Sequence, residues 1–294
     1  MNTLITALAT PYKNGKIDTN SYEKLVNYQI NNGVNALLAV GTTAENLLLR
    51  KYEKKQLVNI AKRLANNVPV WVGIGGHSTI ETIHEAVLAQ ELGADGILLA
   101  PPAFVKCTPQ GYLLYVQQVL KAVNVPVMLY NAPSRCNYTL DEDVVEELSQ
   151  KVRYLKDAGT DMDYTATLSS KLKVLCGNDS LLPDMLKKGA KGVVSVVSNV
   201  APALTRRVLD TVQPTQAATR LAPYNKGGIH TNKQDLELFG KLAELSMLEV
   251  NPIAIKYMLY KKGIFDSFNV RLPLTRASEE TQRKINVLWN ENIL

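Results

Sequence analysis

Short apolar runs alternate along this chain with longer stretches in which apolar side chains recur every three or four positions. The runs at residues 4–9, 36–40, 68–74, 96–100, 125–130, 152–156, 174–177 and 192–197 read as strands, and the stretches between them as helices. Strand-then-helix order repeated in this way calls for a parallel sheet with helices packed outside it. Eight units predict an α/β fold of the closed (β/α)8 type, the TIM barrel. The competing arrangement is an open doubly wound sheet. It usually carries a glycine-rich phosphate loop after its first strand, where this chain reads Thr10-Pro11-Tyr12-Lys13. Gly33, Gly93 and Gly189 precede the second, fourth and eighth runs and are expected to cap the preceding helices in the left-handed conformation. The barrel is expected over residues 1–213. Residues 214–294 follow as a C-terminal helical appendage, with helices near 234–248, 253–262 and 279–289, and residues 214–232, with Pro223, Gly227 and Gly228, read as the linker.

Composition narrows the function classes. At 294 residues, 46% hydrophobic and 20% charged, the chain has apolar surface enough for one large core and no case for disorder. The net charge of +6 raises the question of an anionic partner. Its lysines are interleaved with acids, as in Lys51-Tyr52-Glu53-Lys54-Lys55, and form no sustained basic stripe, so they read as solvated helix faces rather than a nucleic-acid surface. Cys107, Cys136 and Cys176 form no CxxC pair, which excludes a disulfide framework or zinc ribbon and fits a reducing cytoplasm. His77, His84 and His230 lack ligand spacing, so no metal site is expected. Neither a signal peptide nor a membrane-spanning run is evident, and a cytoplasmic location is expected.

In a barrel of this class the active site lies at the C-terminal ends of the strands. That rule selects Gly41-Thr42-Thr43-Ala44-Glu45-Asn46 after the second strand, Pro101-Pro102-Ala103-Phe104 after the fourth, and Tyr130 with Asn131-Ala132-Pro133-Ser134-Arg135 at the fifth. It also selects Lys156 at the sixth and Gly177-Asn178-Asp179 after the seventh. A lysine delivered to that rim is a candidate Schiff-base nucleophile, because burial favours the neutral amine that attacks a ketone. Tyr130 on the adjacent strand is placed to relay protons, with a threonine hydroxyl holding the phenol. Backbone N–H groups of the Gly-Thr-Thr turn suit a small carboxylate. Lys156, Tyr130, Thr42 and Thr43 are together the parts of a 2-oxo acid imine site. Singly each has a plainer reading: a solvated lysine, a packed tyrosine, a helix-capping threonine, a surface arginine at Arg135.

The motifs Gly41-Thr42-Thr43-Ala44-Glu45, Tyr130-Asn131-Ala132-Pro133-Ser134-Arg135, Leu155-Lys156, Gly177-Asn178-Asp179, Asn251-Pro252-Ile253-Ala254-Ile255-Lys256 and Arg271-Leu272-Pro273-Leu274 occur in the order in which the dihydrodipicolinate synthase family carries them. The chain resembles that family over nearly its whole length, within the pyruvate-dependent class I aldolases that include N-acetylneuraminate lyase. The resemblance implies a lyase that joins pyruvate, held as an imine on Lys156, to aspartate semialdehyde on the route to diaminopimelate and lysine, with no cofactor. It implies that Tyr130 shuttles protons, that Thr42 links it into the relay, and that Thr43 holds the pyruvate carboxylate. Arg135 would receive the semialdehyde carboxylate, Gly177 and Val194 would line the pyruvate pocket, and the assembly would be a homotetramer built from dimers. Two positions depart from the family pattern. Phe104 stands where the family has a relay tyrosine contributed across a subunit interface, and Ala44 where it commonly has glycine. The Phe104 departure keeps two other readings open: an aldolase for a 2-oxo-3-deoxy sugar acid, which Arg135 opposes, and a catalytically silent 2-oxo acid sensor.

Overall fold

The structure, a computed structural model, describes residues 2–136, 138–212 and 233–290. Eight parallel strands close into a barrel: β1 (Thr3–Ala7), β2 (Ala36–Ala39), β3 (Val70–Ile74), β4 (Gly96–Leu99), β5 (Val127–Asn131), β6 (Tyr154–Asp157), β7 (Lys173–Cys176) and β8 (Gly192–Ser195). Each pairs with its sequence neighbours, and β1 closes the ring on β8. Seven helices join successive strands or flank them in the expected order: α1 (Thr19–Asn31), α2 (Lys51–Leu64), α3 (Thr79–Glu91), α4 (Pro109–Ala122), α5 (Glu142–Ser149), α6 (Met162–Lys171) and α7 (Leu182–Lys187). Then α8 (Pro202–Thr211) follows the last strand. Asp18, Ser78, Thr108, Asp141 and Asp161 cap five of these helices by accepting backbone N–H bonds.

Alternation along the strands separates two environments. Leu129, Leu155, Val174 and Val193 pack outward in the large core shared with the helices. Met128, Tyr130, Leu175 and Val194 turn inward, into a smaller cluster that fills the barrel. Trp71 of β3 meets Tyr154 of β6 edge-on at 5.4 Å between ring centres, a contact that non-adjacent strands make only through the lumen. Lys156 lies two residues beyond Tyr154 and therefore shares its inward face.

Several strands begin or end away from their predicted limits, each for a local reason. Pro69 and Pro126 have no N–H for the ladder, so β3 and β5 start after them, although both carbonyls still accept from the neighbouring strand. Val152 donates to Leu148 and so completes the turn after α5, delaying β6 to Tyr154. At the other end, Ala9 donates to the Asn199 side chain, and Val196 and Val197 to Asp179, which takes these residues out of β1 and β8. Gly33, Gly93 and Gly189 do take positive φ, as their cap positions require.

Beyond the barrel, α9 (Lys233–Ser246), α10 (Ile253–Lys261) and α11 (Glu279–Asn290) form the appendage. Every residue from Ile253 to Leu259 is buried, the mark of a helix packed on all sides. These helices contribute to the same large core as the barrel helices. The expected linker, 214–232, lies outside the described residues.

Gly73 of β3 controls the loop that leaves β2. Val40 there has φ of +56°, rare for a β-branched residue, and a Cβ at position 73 would lie 2.6 Å from the Val40 carbonyl oxygen and 2.9 Å from Gly41 Cα. Both obstacles are backbone. Gly73→Ala is accordingly expected to cost about 1–3 kcal/mol in urea unfolding, the usual range for forced overpacking, and unchanged stability would contradict this reading.

Candidate active site

Tyr130 and Lys156 are direct register partners on β5 and β6. Because both face inward at one level, the Lys156 Nζ rests over the Tyr130 ring, 4.5 Å from its centre. Lys156 is 5% exposed and, among the described residues, forms no ion pair. Space for its chain is left by Gly177, where a Cβ would stand 2.9 Å from Lys156 Cε. Val194 lies in the same inner cluster as Tyr130, so Lys156, Tyr130, Gly177 and Val194 are brought to one end of the lumen.

The Gly-Thr-Thr segment does not enter a long helix directly. It forms a single 3₁₀ turn over Thr42–Ala44, followed by Glu45 in the left-handed region at φ +59°. Ala44 sits inside that turn, so the departure from glycine costs nothing in backbone strain; the left-handed residue is the next one. Thr10 holds the turn by donating from Oγ1 to the Ala44 carbonyl at 2.9 Å. Thr43 is buried and its Oγ1 accepts from Asn251 Nδ2 at 3.0 Å. No hydrogen bond joins Thr42 to Tyr130 among the described residues.

Behind this turn lies a cluster that local sequence patterns do not disclose. Lys256 of α10 donates to Glu45 Oε1 at 2.6 Å, and both side chains are fully buried. The other Glu45 oxygen accepts the Arg271 backbone N–H at 3.0 Å, while the Arg271 guanidinium forks onto Glu53 and donates to the Leu48 carbonyl. Tyr12 carries Lys256 Nζ at 4.2 Å and the Arg271 guanidinium at 4.5 Å from its ring centre. Burial pushes the Lys256 ammonium down to about 8, against the pull of Glu45, and Arg271 holds the Glu53 carboxyl below the usual carboxylate range.

Two further carboxylates frame Lys156. Asp157 is buried but satisfied, accepting from Asn131 Nδ2, the Gly159 N–H and Thr165 Oγ1 at 2.8–2.9 Å. This ties the end of β6 to β5 and α6. Asp179 Oδ2 accepts from the Val196 and Val197 N–H groups at 2.7 and 3.0 Å, joining the loops after β7 and β8, and burial pushes its carboxyl up. Arg135 is different: it stands exposed on the short helix Pro133–Cys136, without a side-chain hydrogen bond or ion pair among the described residues. Phe104 is 98% exposed, at φ +67°, and contributes nothing to the packing of this chain. Burial raises the Cys136 thiol and more strongly that of Cys176, so neither is a ready nucleophile. Among the described residues no group of three or more potential metal ligands converges, and no helix is long and apolar enough to cross a membrane.

A buried lysine with no ion pair among the described residues, beside an inward tyrosine, can be set against known proteins. Residues 1–291 match the dihydrodipicolinate synthetase family. The chain belongs to that family. Among family relatives, the 4-hydroxy-tetrahydrodipicolinate synthase of Aliarcobacter butzleri is 36% identical over 289 residues, covering 96% of this chain and 94% of the relative. That of Rickettsia bellii (strain OSU 85-389) is 34% identical with the same coverage. Of solved family structures, the Thermotoga maritima dihydrodipicolinate synthase superposes with a TM-score of 0.89 at 31% identity, over 100% of this chain and 99% of that one. The Aquifex aeolicus enzyme does so with 0.88 at 28% identity and the same coverage. The family fold, a closed barrel with C-terminal helices, is the fold of this chain, and membership places it among lyases.

Within this family member the Glu45–Lys256 pair offers a direct test. Lys256→Met leaves an unpaired buried carboxylate and is expected to cost about 3–5 kcal/mol in urea unfolding, whereas Glu45→Gln with Lys256→Met recovers most of it. Because the folded value near 8 lies below the ordinary 10.5, the unfolded chain binds more protons between those values. The stability of the wild type relative to Lys256→Met therefore rises as pH increases from 8 to 10, and a flat difference contradicts the assignment.

Proposed function

We propose that the chain condenses pyruvate with aspartate semialdehyde to 4-hydroxy-tetrahydrodipicolinate through an imine on Lys156. The observation that carries this reading is the contrast between two buried lysines: Lys256 is paired with Glu45, and Lys156, beside the inward-facing Tyr130, forms no ion pair among the described residues. The Lys156 amine, in its neutral form, adds to the pyruvate C2 carbonyl; loss of water then gives the imine. Loss of a C3 proton yields the enamine. Its C3 attacks the aldehyde carbon, a C–C bond forms, and the aldehyde oxygen takes up a proton. Attack of the semialdehyde's amine on C2 closes the ring and frees Lys156. The imine is itself the electron sink, so the chemistry calls on no cofactor.

In this reading Tyr130 moves protons at the carbinolamine stage, with Thr42 entering the relay although no hydrogen bond joins the two among the described residues, and Thr43 with the turn's N–H groups holds the pyruvate carboxylate. Gly177 leaves room for the lysine chain, and Val194 walls the substrate methyl. Arg135, charged, exposed and unengaged at the rim, receives the carboxylate of the semialdehyde. The position of Phe104, projecting fully from its subunit with half-exposed Val105 beside it, supports assembly into a homotetramer in which the ring reaches a second copy. Phenylalanine cannot carry the proton that a tyrosine would. Phe104 also favours a second reading, an aldolase for a 2-oxo-3-deoxy sugar acid.

Turnover of pyruvate with aspartate semialdehyde, absent in Lys156→Ala, is the expected result. Adduct formation without turnover, or preferential turnover of a sugar acid, would displace the proposal. Phe104→Tyr is expected to raise kcat at least about tenfold, part of the roughly 10²–10⁴-fold that a positioned proton donor usually contributes, with pyruvate trapping unaltered. An unchanged kcat would show that water or another group already supplies the relay.

A further inference from the structure

Asn251 reaches the pocket turn from the far end of the sequence. It precedes α10, is 8% exposed, and donates from Nδ2 to Thr43 Oγ1 across 208 positions of the chain. Its own Oδ1 is buried and has no partner among the described residues. A hydroxyl has one proton and two acceptor lone pairs. With one lone pair of Thr43 taken by the Asn251 amide, the hydroxyl proton is directed elsewhere, and among the described residues it makes no hydrogen bond. Two neighbouring acceptors are already engaged, the Ala44 carbonyl by Thr10 and Glu45 by Lys256 and Arg271. The Thr43 proton is thereby left free for an oxygen of a bound ligand.

We propose that Asn251 is a positioning residue that fixes the polarity of the Thr43 hydroxyl, making it a donor to the carboxylate of a bound 2-oxo acid. The inference rests on the reading of Thr43 as a carboxylate binder and adds the group that orients it. An asparagine suits this task better than an aspartate, which offers only acceptors and would turn the Thr43 proton toward itself. Lys256, five residues further along the same segment, holds Glu45 two residues beyond Thr43. The turn and its orienting amide are therefore carried by one rigid element.

The test uses the full-length protein and borohydride trapping of the imine, read by intact mass across a pyruvate titration. Wild type, Asn251→Ala, Thr43→Val and the double variant form a cycle. Each single substitution is expected to raise the half-saturating pyruvate concentration about tenfold, equivalent to ~1.4 kcal/mol, and the double variant no further. A ketone without a carboxylate, acetone, is expected to be trapped equally by wild type and Asn251→Ala, which a general collapse of the site would not permit. Asn251→Asp keeps the side-chain shape without the donor and is expected to lose at least as much pyruvate affinity as Ala. Wild-type pyruvate affinity in either Asn251 variant, losses that multiply in the double variant, or equal losses for acetone would overturn the proposal. Absence of any adduct in the wild type would instead sink the imine reading on which it rests.

Discussion

The working end of this barrel depends on a buried ion pair that joins parts of the chain 211 residues apart, Glu45 in the turn after β2 and Lys256 in α10. Taking two charges out of water carries a penalty that their attraction only partly offsets, and an apolar pair of equal volume is often as stable. What an apolar pair lacks is direction. Glu45 has two oxygens, one bound to Lys256 and the other to the Arg271 backbone, so its position is fixed from two sides. The turn before it contains Thr42 and Thr43 and follows a strained Val40. A strained loop persists where its surroundings over-determine it, and here Gly73, Thr10, Asn251 and the ion pair all do so.

The same pair explains why two buried lysines have different fates. Lys256 has the depressed pKa that would suggest a nucleophile, yet its Nζ is closed in by Glu45 and the Tyr12 ring and has no exposed surface. Lys156 lies at the mouth of the lumen, against Tyr130 and beside the space that Gly177 leaves open. A perturbed pKa identifies an unusual environment. In the proposed mechanism it is access at the ends of β5, β6 and β7, not a shifted pKa, that marks the reacting lysine.

Periodicity discloses the eight strands and places Lys156 and Tyr130 on neighbouring strand ends, because a parallel barrel repeats one local pattern and projects alternate residues inward. Strand limits are less legible: the expected runs at 68–74 and 125–130 pass through Pro69 and Pro126, after which the strands in fact begin, and the limits set by Asn199 and Asp179 depend on side chains in other elements. The support of the site is hidden for the same reason. Asn251, Lys256 and Arg271 fall in motifs that the family resemblance marks, but their partners Thr43, Glu45 and Glu53 lie more than 200 residues earlier. No local pattern encodes such a contact. Arg135 and Phe104 are found where the strand-end rule puts them, and both are exposed.

The most direct test of the central claim is to reduce the pyruvate adduct with borohydride, digest the protein and locate the modified lysine by mass spectrometry. Modification confined to Lys156, with Lys256 untouched, is the predicted result. Modification of Lys256, or adducts scattered over surface lysines, would contradict the assignment of nucleophile and structural ion pair on which this account is built.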